Sequence, residues 1–179
     1  MDTRFPDGTE RRAVTELRAI GGRKLGGYAA TFGTPAKIGG LTESIRAGAF
    51  TATLATGKDV LALVDHDPTR LLARTASRTL RLSQDAHGLA FELDAPDTTL
   101  GRDIIALAER GDLGGMSFAF RATDEAWPTR DQRELRAVDL IEVSVVQSFP
   151  AYGATEISVR SRPAGTPSAA LLRLRLAVL

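Results

Sequence analysis

Apolar residues along this chain fall mostly in short runs that alternate with polar ones, the period-two signature of half-buried strands. TELRAI and KLGGYAATFG read as two strands around a Gly21-Gly22 turn. In DVLALVDH the run from Val60 to Val64 is apolar on both faces, and its length and polar bounds predict a buried strand. Period two would place Val60, Ala62, Val64 and His66 on one face of it. LLART, SRTLRLSQ and GLAFELDA follow, the last two joined by Asp85-Ala86-His87-Gly88, a hairpin turn in which Gly88 is free to take positive φ. LGGMSFAFRAT and QRELRAVDLIEVSVV are two more strands, linked by a loop holding Trp127 and Pro128.

Helical spacing is clear in one place. From Thr98 to Arg110 a threonine can cap the start, Leu100, Ile104, Leu107 and Ala108 form an apolar stripe, and Gly111 closes the end. Gly48 to Ala55 predicts a shorter helix ended by Gly57. Seven or eight strands with two or three helices predict a mostly β fold of the α+β class. The expected form is a closed or nearly closed β-barrel of about seven strands with peripheral helices.

The length of 179 residues suits one domain with a substantial core. The polar opening, MDTRFPDGTERR, reads as a flexible arm over residues 1–12, leaving a domain at 13–160. From Ser161 the chain changes character: SRPAGTPSAA resembles a linker, and LLRLRLAVL is apolar with two arginines, so 161–179 reads as linker and tail. Period two at Leu172, Leu174, Leu176 and Val178 suggests a strand there, while the preceding alanines favour a helix.

Lys and Arg total 23 against 22 for Asp and Glu, so the basic excess expected of a nucleic-acid binder is absent. No apolar run is long enough for a membrane-spanning helix, and the first ten residues lack the apolar stretch of a signal peptide, so the chain is expected in the cytoplasm at synthesis. The absence of cysteine excludes disulfides, thiol nucleophiles and thiolate metal sites. The two histidines, His66 and His87, are too few for a histidine-rich zinc site, and no spaced acidic calcium loop appears, so neither cofactor nor metal is expected. A hydrolase built from these residues would use a hydroxyl activated by one histidine, or a carboxylate pair.

His66 stands between Asp65 and Asp67 at the end of an apolar run, where a neighbouring carboxylate could orient an imidazole acting as general base; the plain alternative is a surface histidine in a charged turn. His87 sits in the hairpin tip and reads as structural. Ser117 in GGMSFAF shares a strand face with Ala119, opposite Met116, Phe118 and Phe120. Gly114 and Gly115 leave room for a substrate backbone and offer amides for an oxyanion; the alternative is a serine on the polar side of a half-buried strand. The nucleophile-elbow pattern Gly-x-Ser-x-Gly is not met, because Ala119 stands in the last position. Glu142 and Ser144 face away from Ile141, Val143 and Val145, and a carboxylate in so apolar a strand needs a partner: a histidine, an arginine or amide donors.

In order and spacing, LALVDHDP at 61–68, GGMSFAF at 114–120, LIEVSVV at 140–146 and Pro150-Ala151 resemble the tailed-phage prohead protease family, whose fold is related to that of herpesvirus capsid-maturation proteases. GYAATFG and ESIRAGAF resemble the family's N-terminal portion, so the likeness spans roughly residues 26 to 156. The resemblance implies a serine endopeptidase with Ser117 as nucleophile and His66 as base. Glu142 matches a carboxylate-bearing position, with Asp65, Asp67 and Asp139 as alternatives for the third role. It implies as substrates the scaffolding domain of the major capsid protein precursor and the protease itself, inside an assembling procapsid shell, with self-association compatible with that setting. The tail would then either pack on its own domain or act as a removable docking segment. The rival readings are a catalytically idle barrel serving as a head scaffold or assembly factor, and a small-molecule serine esterase.

Overall fold

The computed structural model describes residues 7–148; Pro150-Ala151 and the segment 161–179 lie outside the described residues. In chain order the elements are β1 (Glu10–Val14), β2 (Leu17–Gly21), β3 (Lys24–Thr31), β4 (Ala36–Ile38), β5 (Leu41–Ile45), α1 (Thr51–Ala55), β6 (Leu61–Val64) and β7 (Asp67–Arg74). β8 (Leu80–Gln84), β9 (Gly88–Asp94), α2 (Thr99–Arg110), β10 (Gly115–Thr129) and β11 (Gln132–Val146) follow among the described residues.

The fold is mostly β with two helices among the described residues, but the strands pair into two sheets rather than one closed barrel. One sheet runs β1-β10-β11-β5-β4, and the other runs β2-β3-β9-β8. Fifteen residues long, β11 has room for two parallel neighbours: β5 beside Gln132–Leu135, and β6 beside Glu142–Val145 with β7 outside it. Among the described residues no ladder joins the outer strands of either sheet, so both stay open. The strand count exceeds the expected seven because β1, β4 and β5 are short and lie in charged or glycine-rich sequence.

One buried cluster draws on both sheets. Leu25, Leu89, Phe91 and Leu93 come from one, and Met116, Phe118, Phe120, Val143 and Val145 from the other. Phe50, just ahead of α1, packs edge-on against Phe118 at 5.6 Å between ring centres, and Phe118 stacks on Phe120 at 5.1 Å. Burying side chains of this size contributes roughly 1.5–3 kcal/mol each, so the alternation in GGMSFAF fixes which face of β10 points inward. Ser117 and Ala119 are thereby turned to the other face.

The strongest helix signal holds. Thr98 Oγ1 accepts the Gly101 amide, and Gly111 ends α2 in the left-handed conformation with φ 75°. Other expectations need correction. Gly88 is small for a different reason: a Cβ there would lie 2.0 Å from the Ala30 carbonyl oxygen, so close strand approach and not positive φ requires glycine. Trp127 and Pro128 belong to β10, which continues to Thr129 and turns through Arg130-Asp131; register shifts between Ala126 and Thr129 let the ladder absorb a proline that lacks an N–H. Residues 10–12 are strand and not arm. The charges of Glu10 and Arg12 are held inside, where Arg12 bonds Glu10 and Glu43, and Arg133 bonds Glu10, Glu43 and Glu125. Burial pushes the Glu10 carboxyl upward, but the Arg133 hydrogen bond and the two guanidinium charges outweigh it and hold the group below its usual value.

Candidate active site

Three strand segments bring the candidate residues together. β6 runs parallel to β11 and pairs Leu63 with Ser144 and Val64 with Val145. On the other side of β11, β10 is antiparallel and sets Ser117 opposite Ser144 and Ala119 opposite Glu142. Directly opposed residues share a face of the sheet, and so do residues two apart on one strand. Ser117, Ala119, Glu142 and Ser144 therefore form one patch of that face. It contains no large apolar side chain and is nonetheless buried: Ser117 is 1% exposed and Ser144 0%.

His66 reaches this patch from a turn and not from a strand face. β6 ends at Val64, which pairs with Asp67 of β7, so Asp65 and His66 form a two-residue hairpin loop. Both have left-handed φ, 53° and 61°, the pattern of the mirrored turn that suits strand twist. Each non-glycine residue in this region costs roughly 1–2 kcal/mol, which the surroundings must offset. The turn is accordingly braced. The Asp65 amide donates to the Val145 carbonyl, Asp65 Oδ1 accepts the Gln147 amide, and Arg70 bonds both Asp65 Oδ2 at 2.9 Å and Gln147 Oε1 at 2.6 Å. The expected sharing of a face by Val60, Ala62, Val64 and His66 fails because the chain reverses at Asp65.

The imidazole is 14% exposed, and its Nδ1 lies 2.5 Å from Glu142 Oε1. An ionised carboxylate can only accept, so Nδ1 is the donor in this pairing, and a neutral imidazole held this way keeps its lone pair on Nε2. The second oxygen of Glu142 is also occupied, since Ser144 Oγ donates to Oε2 at 2.5 Å. Of the four acidic candidates, Glu142 is the one at the imidazole. Asp65 braces the turn; Asp139 takes the ammonium of Lys58 at 2.7 Å; Asp67 accepts the Thr69 hydroxyl and amide, which lower its carboxyl below the usual range. His87 is remote in role, with Nε2 bonded to Glu16 and its ring edge-on to Tyr28.

Ser117 is on the same patch but its hydroxyl is turned toward the N-terminal strand, donating to the Arg12 carbonyl at 2.8 Å. No hydrogen bond joins it to His66. The Gly114 amide donates to the Val146 carbonyl, which removes it as a spare oxyanion donor. Gly115 has φ 129°, and a Cβ there would lie 2.2 Å from the Val14 carbonyl, so close approach of β1 requires glycine two residues before the serine. Ser144, Arg70 and Gln147 were not singled out from sequence. The shared face of Glu142 and Ser144 was legible, but no local signal announced the hydrogen bonds among these groups.

No group of three or more histidine or acidic side chains suited to a metal ion occurs among the described residues, and no helix there is long and apolar enough to cross a membrane. In sequence comparisons, the model of a family described as caudovirus prohead serine protease matches residues 10–166. No curated protein matches the chain, and no solved structure does.

Proposed function

The chain belongs to the caudovirus prohead serine protease family, and from that premise we propose that it is the endopeptidase that cleaves the scaffolding domain of the major capsid protein, and itself, within the assembling procapsid. The observation that carries the reading is the His66–Glu142 pair held over the β-sheet patch that bears Ser117. In this reading Ser117 is the nucleophile, His66 the general base and Glu142 the residue that orients it.

The chemistry is acyl transfer. Rotation about the Ser117 Cα–Cβ bond frees Oγ from the Arg12 carbonyl and turns it toward His66 Nε2. Oγ attacks the peptide carbonyl carbon as Nε2 takes its proton, and the imidazolium then protonates the leaving amine. Water repeats the sequence on the acyl-enzyme and releases Ser117. Glu142 keeps the Nδ1–H tautomer and stabilises the imidazolium formed at each step. A resting geometry looser than the reacting one is usual before substrate binds.

One observation favours a second reading, an idle head scaffold of the same fold: the Ser117 hydroxyl is buried and bonded to Arg12. Co-expression with the capsid precursor separates the two. Wild type shortens the precursor and Ser117→Ala leaves it full-length; normal processing by Ser117→Ala refutes the assignment.

A further inference from the structure

We infer that Ser144 is a positioning residue of this site, one hydroxyl that fixes both the carboxylate and the backbone of the histidine it serves; the inference rests on the reading of Ser117, His66 and Glu142 given above. Ser144 is fully buried in the middle of the site, between Ser117 on β10 and Leu63 on β6. Its Oγ donates to Glu142 Oε2 at 2.5 Å and accepts the backbone N–H of His66 at 3.2 Å. A hydroxyl has one proton to give, and here it goes to the carboxylate.

The two bonds act on different parts of one unit. Glu142 lies two residues from Ser144 on the same strand face, and its carboxylate could otherwise rotate about its terminal torsion, which is broad and roughly two-fold. With Oε2 tied to Ser144, Oε1 is the oxygen left for Nδ1. The second bond supplies an acceptor for the His66 amide in its left-handed turn. Imidazole and carboxylate are thus referenced to the same atom. Alanine at position 144 would release both at once, while leaving the nucleophile and the base in the chain.

The test compares peptide cleavage by the full-length protein and its variants, with kcat and KM determined separately. Ser144→Ala is expected to lower kcat roughly tenfold to a hundredfold, the range seen when a partner that orients a functional ligand is lost. KM should stay within about twofold, since the Ser144 hydroxyl is buried and bonded to His66 and Glu142. Ser144→Thr, which keeps the hydroxyl, should recover most of the loss. If Ser144→Ala folds too poorly to assay, Ser144→Thr and Ser144→Val form an isosteric pair differing only in the hydroxyl, and equal kcat in these two overturns the role. Wild-type kcat in Ser144→Ala also overturns it, provided Ser117→Ala is inactive in the same assay. Cleavage that persists in Ser117→Ala removes the parent reading, and the positioning role with it.

Discussion

His66 and Glu142 stand 76 positions apart in the chain, yet Nδ1 of one lies 2.5 Å from Oε1 of the other. Parallel pairing of β6 with β11 creates this meeting by carrying the loop after Val64 over the end of β11. If the pair is the base and its orienter, His66→Ala should lower kcat/KM by roughly a thousandfold or more, and adding Ser117→Ala should cost little further. Glu142→Gln should be less damaging than His66→Ala by about one to two orders of magnitude. Steady-state kinetics on the three single variants and the His66–Ser117 double variant measures this, and additive losses would contradict a shared catalytic unit.

The bracing of the turn gives a second prediction. Asp65 must tolerate left-handed φ and accept two donors, Gln147 N–H and Arg70. Asparagine suits that backbone and keeps an acceptor, so Asp65→Asn should hold kcat within roughly threefold; alanine loses both and should cost about tenfold. A thermal melt alongside the assay separates loss of the turn from global unfolding. Equal activity of the two variants would show that the brace is not needed to place His66.

Much of this was legible in the chain and some was not, for physical reasons. Met116, Phe118 and Phe120 alternate with Ser117 and Ala119, so the side of β10 on which the serine lies follows from period two. The position of His66 does not, because the reversal at Asp65-His66 uses residues that carry no glycine or proline signal. Long-range pairing is equally silent in sequence: nothing local says that β11 takes β5 and β6 as successive parallel neighbours, and that choice leaves the sheets open where a barrel was expected. The charged opening segment misled because solvated and internally paired charges look alike in composition. Glu10 and Arg12 read as arm residues, but their partners Glu43 and Arg133 are distant in the chain.

That ionic cluster should be felt in stability. Arg133→Met would remove one of the two guanidinium groups bonded to the buried Glu10 and Glu43, a loss of about 3–5 kcal/mol by denaturant unfolding. The pH dependence has a definite sign. The folded-state carboxyl of Glu10 is held below its ordinary value, so its contribution is fully present above the unfolded carboxyl's titration range and is lost as pH falls through the lowered value. Glu10→Gln should be less stable at neutral pH and should flatten the acid limb of the stability curve. An unchanged acid limb would show that Glu10 is not held by its arginines.

Gly115 lets the N-terminal strand approach the strand that carries Ser117. Gly115→Ala would set a Cβ 2.2 Å from the Val14 carbonyl at a φ of 129°, so β1 must move. The expected cost is about 2–4 kcal/mol, with activity falling further than stability at permissive temperature because Ser117 is two residues away. A Gly115→Ala protein with wild-type melting temperature would show that β1 does not pack against β10 in this way.

If the Ser117 hydroxyl is the nucleophile and His66 activates it, that serine should react with an electrophile directed at activated serines. The most direct test is covalent: expose the full-length protein to a fluorophosphonate, then locate the adduct by peptide mass spectrometry. One phosphonylated residue is expected, Ser117, with labelling strongly slowed in His66→Ala and absent in Ser117→Ala. An adduct on Ser144 in its place, or none on any serine of a wild-type protein that still cleaves the capsid precursor, would contradict that assignment.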